Sequence, residues 1–146
     1  MEFKWYKYGE KGIEDAFDIR REVFCKEVGF TEDFEFDDGD KTAWHLVCYE
    51  DGVPVCTARL LKETFDRRIG RLRRPKQYRG KGYGKAVMEE VLKKCKELLV
   101  ENATLGAKYD KKGFYEALGF EEYGEIFYEE GIPHIMMKKL VTELLF

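Results

Sequence analysis

Arg79-Gly80-Lys81-Gly82-Tyr83-Gly84-Lys85 is the stretch on which the reading of this chain turns. Three glycines alternate with large side chains, and a helix-period pattern begins directly after them. A helix introduced in this way has unpaired N–H groups and a positive dipole end at its first turn. The glycines let the backbone come close to whatever sits there, so the stretch is an anion site suited to a phosphate or pyrophosphate. Two better-known phosphate loops do not fit. The P-loop needs four residues between its glycines and Ser/Thr after its Lys, whereas three separate Gly80 from Gly84 and Ala86 follows Lys85. The dinucleotide fingerprint needs its third glycine three residues after the second, and Gly84 comes two after Gly82. What remains is Arg79-x-x-Gly82-x-Gly84.

Outward from the loop, both neighbours are legible. Val87, Met88, Val91, Leu92, Cys95, Leu98 and Leu99 form the strongest helical stripe in the chain. On the opposite face Glu89–Lys93 and Glu90–Lys94 are i,i+4 pairs in the favourable order. Before the loop, Arg68 to Arg74 reads as a strand ended by Pro75. The glycines therefore sit where a strand turns into a helix, a place that ligands favour in open sheets.

Elsewhere, Glu2 to Tyr8 alternates and reads as a first strand. Ile13, Ala16, Phe17, Arg20, Phe24 and Val28 follow helical spacing and predict a helix of about four turns stopped by Gly29. Trp44 to Glu50 and Val53 to Lys62 read as a hairpin around Asp51-Gly52, with a turn expected over Thr64 to Asp66. Ala103 to Tyr109 is a short strand, and Asp110 is placed to cap a helix from Lys111 to Leu118 that Gly119 ends. Phe120 to Glu129 and His134 to Val141 are the last strands. The order β-α-β-β-β-α-β-α-β-β predicts a single α/β (α+β) domain over residues 1–146, a mixed sheet flanked by helices.

Composition narrows the function. With 44% hydrophobic and 38% charged residues the chain has the make-up of a soluble globular domain. No run is long and apolar enough to span a bilayer, and Met1 to Trp5 opens no signal sequence. Cys25, Cys48, Cys56 and Cys95 are dispersed in apolar elements, which predicts free thiols and a cytoplasmic setting. No Cys/His pair has zinc-ligand spacing, and the register of acids from Asp33 fails the calcium loop, so no metal is expected. The net charge of −3 disfavours nucleic acid as a partner. The charge is unevenly placed: residues 27–40 are acidic without a Lys or Arg, and residues 67–85 are basic without an acid. The acidic run reads either as a solvated loop anchored by Phe30, Phe34 and Phe36 or as a wall for a cationic substrate.

The loop, written Tyr78-Arg79-Gly80-Lys81-Gly82-Tyr83-Gly84, closely resembles the acetyl-coenzyme A pyrophosphate loop of the GNAT acyltransferase superfamily. Gly113-Phe114-Tyr115-Glu116-Ala117-Leu118-Gly119-Phe120 looks like that superfamily's late helix, and the order of elements is that of its fold. Arg20-Arg21-Glu22-Val23-Phe24-x-x-Glu27 and the run from Glu129 to Met137 resemble its ElaA/YjcF-like branch. The likeness implies that backbone N–H groups from Gly80, Lys81, Gly82, Tyr83, Gly84 and Lys85 hold a pyrophosphate, with Arg79 adding charge. It implies that Arg71, Leu72, Arg73 and Arg74 line the pantetheine arm, that a strand N–H polarises the thioester carbonyl, and that Tyr115 protonates the departing thiolate. Three positions depart from the pattern: Arg73 and Arg74 stand where the strand is usually apolar, placed for either coenzyme phosphates or an acidic acceptor, and Lys108 stands where many relatives have Asn.

The implied activity is acetyl-CoA-dependent N-acetyl transfer to a primary amine of a small cationic or lysine-like acceptor, a small molecule or peptide. The alternative is a non-catalytic CoA-binding regulatory module. A homodimer is compatible with either. An alkyl amine must lose a proton before it attacks, so a base is required. His134, after the Gly131-Ile132-Pro133 turn, ranks first for that role; His45, Glu35 and Asp37 are further acceptor-side candidates.

Overall fold

The computed structural model describes residues 1–63 and 65–141. Thr64, at the head of the turn expected over Thr64 to Asp66, lies outside the described residues. The chain runs through β1 (Glu2–Lys7), α1 (Glu14–Arg20), a π-helical segment (Arg21–Glu27), α2 (Glu32–Glu35) and a 3-10 turn (Asp38–Lys41). It continues through β2 (Trp44–Glu50), β3 (Val53–Lys62), β4 (Arg67–Arg73), α3 (Tyr83–Glu97), β5 (Asn102–Lys108), α4 (Lys112–Glu116), β6 (Glu121–Glu129) and β7 (Ile132–Leu140). Among the described residues the strands form one seven-stranded sheet, ordered β1-β2-β3-β4-β5-β7-β6. Only β4 and β5 pair in parallel. The element order and the mixed, mostly antiparallel sheet agree with the sequence pattern. No helix among the described residues is long and apolar enough to cross a membrane.

Hydrophobic spacing decides which helix covers which face. The stripe on α3 buries Val87, Met88, Val91 and Cys95 against Leu46, Cys56, Ala58, Leu60 and Leu105 of the sheet. On the other face, Ala16, Phe17 and Ile19 of α1 pack on Val47 and Tyr49 of β2. The hairpin expected at Asp51-Gly52 is formed with both residues left-handed, φ +51° and +79°. Cys48, Cys56 and Cys95 are buried free thiols, while Cys25 is half-buried. Burial pushes the Cys48 thiol up to about 11 and those of Cys56 and Cys95 up to about 12, so all three stay protonated near neutrality.

Three local expectations need correction. The first helix does not run four α-turns to Val28. It widens after Arg20, and the Val28 N–H donates to the Val23 carbonyl, five residues back, at 3.2 Å. The widened turns bring Glu22 and Glu27 onto the segment before the glycine loop. There Glu27 accepts from the Lys76 N–H at 2.9 Å and from Arg79 Nη2 at 2.6 Å, and Glu22 accepts from Gln77 Nε2 at 3.3 Å. Asp110 caps no helix: it lies in a 3-10 turn, and α4 starts two residues later at Lys112. Gly119 does end α4, with φ +92° and a Phe120 N–H to Tyr115 carbonyl bond of 3.1 Å. The edge strand β6 is interrupted: Tyr123 pairs with Met136 and Phe127 with His134, so Gly124, Glu125 and Ile126 bulge opposite Ile135.

The acidic segment is the third correction, because Glu35 and Asp40 point inward. Arg20, 1% exposed, donates from Nε to Glu35 Oε2 at 3.1 Å, from Nη1 to Asp40 Oδ1 at 2.8 Å, and from Nη2 to the Glu35 carbonyl at 2.7 Å. Arg59 of β3 reaches Asp37 Oδ1 at 2.7 Å and Asp40 Oδ1 at 2.9 Å. Arg20 and Arg59 thereby fasten α2 and the following turn to the helix and the sheet. Buried charges of this kind are tolerated only when fully paired, and deleting one partner leaves the others stranded. Burial raises the Asp40 carboxyl, but Arg20 and Arg59 outweigh it and hold it at about 2. His45, 1% exposed, donates from Nε2 to the Asp40 carbonyl at 2.9 Å. Burial lowers its pKa, so it is neutral at pH 7.

Arg20→Ala is expected to lower unfolding free energy by about 3–5 kcal/mol in a urea titration. A loss below about 1 kcal/mol would mean that the pairs contribute little. The Asp40 carboxyl lies below its ordinary 3.8, so its contribution is full above that value and lost as pH falls toward about 2. Urea melts at about pH 5 and about pH 2.5 should differ by about 2 kcal/mol from this group, and Asp40→Asn should flatten that dependence.

Candidate active site

The site begins where two strands part. β4 and β5 pair from Arg67–Ala103 to Ile69–Leu105 and no further. Beyond that point β5 stays on β7 as far as Lys108–His134, while β4 stays on β3 as far as Arg73–Thr57. The gap between them opens toward the carboxyl ends of both strands. β4 also bulges there: Gly70 pairs with Arg59 and Arg73 with Thr57, so Arg71 and Leu72 together face Ala58. A bulge of this kind takes an amide out of the ladder and leaves it free to meet a ligand. Arg71 has φ +51°, a conformation that costs a non-glycine residue about 1 kcal/mol. Its guanidinium secures that turn, donating from Nε to the Glu35 carbonyl at 2.9 Å and from Nη2 to Asp37 Oδ2 at 3.1 Å.

The glycine loop closes one end of the gap. Gly80 and Gly82 have φ +77° and +83°, and Gly82 is the residue preceding the 15-residue α3. No side chain caps α3, and its first internal bond is from the Ala86 N–H to the Gly82 carbonyl at 3.1 Å. The amides of Tyr83, Gly84 and Lys85 therefore have no hydrogen-bond partner among the described residues, at the positive end of the helix dipole. A Cβ at Gly80 or Gly82 would meet nothing within 4 Å, so the loop is open on the side from which a ligand would come. Gly84 is buried, and a Cβ there would fall 2.5 Å from Arg74 Nη1 and 3.7 Å from Phe114 Cζ. Arg74 and α4 thus meet at the opening turn of α3. Free amides, open glycines and the exposed Lys81 and Lys85 fit a pyrophosphate. The guanidinium of Arg79 is turned elsewhere, held by Glu27 and by the Arg74 carbonyl at 3.2 Å.

Tyr115 of α4 packs edge-on against Phe114 and Phe120 at centroid distances of 5.0 and 6.2 Å. Burial raises its hydroxyl pKa, with Arg73 and Arg74 pulling it back, so it holds its proton at neutral pH and remains a competent acid. His134 lies on β7, opposite Lys108 at the carboxyl end of β5, and beside the ring of Phe127. Its Nδ1 donates to the Ile132 carbonyl at 2.8 Å, which leaves Nε2 as the nitrogen able to accept a proton; Glu129 stands 3.9 Å away. Next to it, Lys108, Tyr109, Asp110, Ile132 and Pro133 line an open pocket of about 320 Å³.

The other expected acceptor contacts are placed differently. Glu35 is fully buried, its carboxylate oxygens on Arg20 and on Arg73 Nη2 at 3.1 Å. His45 is equally enclosed. Asp37 is half-exposed, but both of its oxygens bind arginine. Of the β4 residues expected along the pantetheine arm, Arg74 faces the α3 terminus, while Arg71 and Arg73 turn to α2. The arginine–carboxylate network escaped sequence reasoning, although Arg20 carried a signal: it falls on the apolar stripe of its helix, where an unpaired charge has no place.

Comparison with known proteins accords with this geometry. The model of the family described as an acetyltransferase (GNAT) domain matches residues 7–141. The uncharacterized N-acetyltransferase YjcF of Bacillus subtilis is 29% identical over 131 residues, 89% of this chain and 94% of YjcF. ElaA of Escherichia coli is 30% identical over 116 residues, covering 77% of this chain and 76% of ElaA. The crystal structure of E. coli ElaA superposes with a TM-score of 0.83 at 28% identity, over 95% of this chain and 99% of ElaA. An acyl-CoA N-acyltransferase from Pseudomonas aeruginosa gives 0.83 at 26% identity, over 94% and 98%. A GNAT acetyltransferase from Elizabethkingia anophelis, solved with acetyl-CoA bound, shares the fold at 0.72 and 15% identity over 95% and 97% of the two chains. With strands that part, a glycine loop on an uncapped helix and a family match over nearly its whole length, this chain belongs to the GNAT acetyltransferase family and is an N-acetyltransferase.

Proposed function

We propose that the enzyme takes its acetyl group from acetyl-CoA and delivers it to a primary amine held in the gap between β4 and β5. The observation that carries this reading is the opening of that gap beside the uncapped N-terminus of α3. The amides of Lys81, Gly82, Tyr83, Gly84 and Lys85, with Gly80 at the turn, grip the pyrophosphate. The bulged backbone over Arg71, Leu72 and Arg73 lies along the pantetheine arm, and an amide freed there polarises the acyl carbonyl as charge grows on its oxygen. Coenzyme A supplies the acetyl group as a thioester, and every other contribution comes from this chain. Arg74 adds positive charge at the coenzyme end. Tyr115 holds the proton that the leaving thiol needs, and Nε2 of His134 takes one from the amine. Holding donor and acceptor together for direct attack supplies much of the rate.

The cationic acceptor expected from the acidic run loses its support. Glu35, Asp37 and Asp40 are engaged by arginines, Glu27 by Arg79, Glu32 by Arg21 and Asp38 by Lys41. Among those acids only Asp33 makes no ion pair among the described residues, which is too little to form a wall.

Calorimetry with acetyl-CoA and a thiol-release assay over amine libraries test the proposal together. Tyr115→Phe is expected to lower kcat by about 10²-fold and leave the coenzyme affinity within about twofold. Coenzyme binding without thiol release from any amine, and without an effect of Tyr115→Phe, would mark a binding module instead. Gly82→Ala places a methyl group where the chain itself leaves room. It should cost the fold about 1 kcal/mol and weaken acetyl-CoA binding at least about tenfold. Unchanged affinity in that variant would remove the loop from the coenzyme site.

A further inference from the structure

The network that holds α2 does not balance. It contains the guanidinium groups of Arg20, Arg59, Arg71 and Arg73 and the carboxylates of Glu35, Asp37 and Asp40, four positive charges against three negative. His45, the remaining ionisable group in contact with it, is kept neutral by burial. Glu35 is divided most thinly: Oε2 serves Arg20 at 3.1 Å, while Oε1 is shared by Arg73 at 3.1 Å and Arg71 at 3.6 Å. A surplus charge in a partly desolvated cluster is costly until an anion joins it.

The surplus has a definite place. Arg20 is enclosed and bonded through all three of its nitrogens, and Arg59 is bonded through both Nη atoms. Arg71 and Arg73 are each 23% exposed. Arg71 binds through Nε and Nη2, and its Nη1 makes no hydrogen bond among the described residues. Arg73 uses each Nη atom once, on the Leu72 carbonyl and on Glu35, so both keep a hydrogen to donate. Burial lowers the pKa of Arg71, and the nearby Arg59 and Arg20 lower it further, as expected where positive charge is in excess. Both side chains come from the part of β4 that has left β5, and both face α2. Arg74, the next residue, faces α3 instead, so this pair is separate from the cations at the coenzyme loop. Phe24 lies 5.0 Å from the Arg73 guanidinium and fixes one of its faces. The charge of Arg73 draws the hydroxyl pKa of Tyr115 down against the effect of burial.

We infer that the acceptor is a primary amine that also carries an anionic group, a carboxylate or a phosphate, and that Arg71 and Arg73 receive that group. This rests on the acetyl-transfer reading above and names its substrate class. Two guanidinium forks held by Glu35 form a preorganised seat for such an anion. A carboxylate would bring the cluster to four charges of each sign, a phosphate would more than offset the surplus, and either would leave the amine free to turn toward the acyl carbonyl.

The test is a thiol-release assay on the full chain with matched acceptors. β-Alanine and O-phosphoethanolamine stand for the two anions; β-alaninamide, ethanolamine and spermidine lack one. Either anionic amine should show kcat/KM at least about tenfold above its neutral partner and above spermidine, the difference made by charge-assisted hydrogen bonds. Arg73→Gln should erase that preference, and its coenzyme affinity is read separately by calorimetry. It leaves three arginines with three carboxylates, so the variant should stay folded, and Arg73→Lys, which keeps the charge but not the fork, should retain part of the preference. Saturable binding of either anionic amine to the CoA-loaded protein, followed by calorimetry, gives a second reading independent of turnover. Preference for spermidine or the amide, an equal effect of Arg73→Gln on acids and amides, or no saturable binding of the acids would overturn the inference. Failure of the unaltered chain to bind acetyl-CoA would instead overturn the donor assignment, which uses the amides of the glycine loop and of the β4 backbone and neither the Arg71 nor the Arg73 side chain.

Discussion

Everything at the centre of this molecule follows from the shortness of one parallel ladder. β4 and β5 share three residue pairs and then diverge, because each is committed to a different antiparallel partner. Backbone amides that lose a partner inside a protein must find another. Here the void is bordered by a bulged strand, the start of an uncapped helix and a tyrosine-bearing short helix. A ligand with a carbonyl-rich, extended arm and a charged tail is chemically matched to such a border.

The segments on the β4 side of this void are held together by side chains. Arg71 and Arg73 belong to the strand, yet their side chains end on α2 and the turn after it. Glu22 and Glu27 belong to the widened first helix, yet they end on the turn before the glycine loop. Side-chain links of high sequence separation therefore tie the first helix and α2 to β4 and to the turn before the glycine loop. Isolated surface pairs would add little. These links matter because several of them are buried and share partners, so the segment between Phe30 and Lys41 is fixed in place although its regular structure is limited to two short helical turns.

Much of this was legible in the residues. The order of elements along the chain, the long helix after the glycines and the turn at Asp51-Gly52 follow from local periodicity and turn chemistry, which act over a few neighbours. The glycine loop was legible because backbone conformation and open space are written in residue type. What escaped was long-range pairing of charge. Glu35 and Asp37 looked like a solvent-facing wall because nothing near them in sequence is basic; their partners lie at positions 20, 59, 71 and 73. Arg73 looked like a coenzyme contact for the mirror-image reason. The helix ending at Arg20 was likewise beyond a periodicity argument, since a π-turn keeps nearly the same residues on the same side.

The break in β6 affects more than that strand. β6 is the outermost strand on its side, and an uninterrupted outer strand offers a row of hydrogen-bonding groups to any other extended chain. With Gly124, Glu125 and Ile126 looped out, the row is cut into two short pieces whose spacing no regular strand can match. At the opposite border β1 carries Glu2, Lys4 and Lys7, which makes stacking there electrostatically awkward. The sheet is thus self-limiting in width, which guards a concentrated solution of the protein against fibre-like growth.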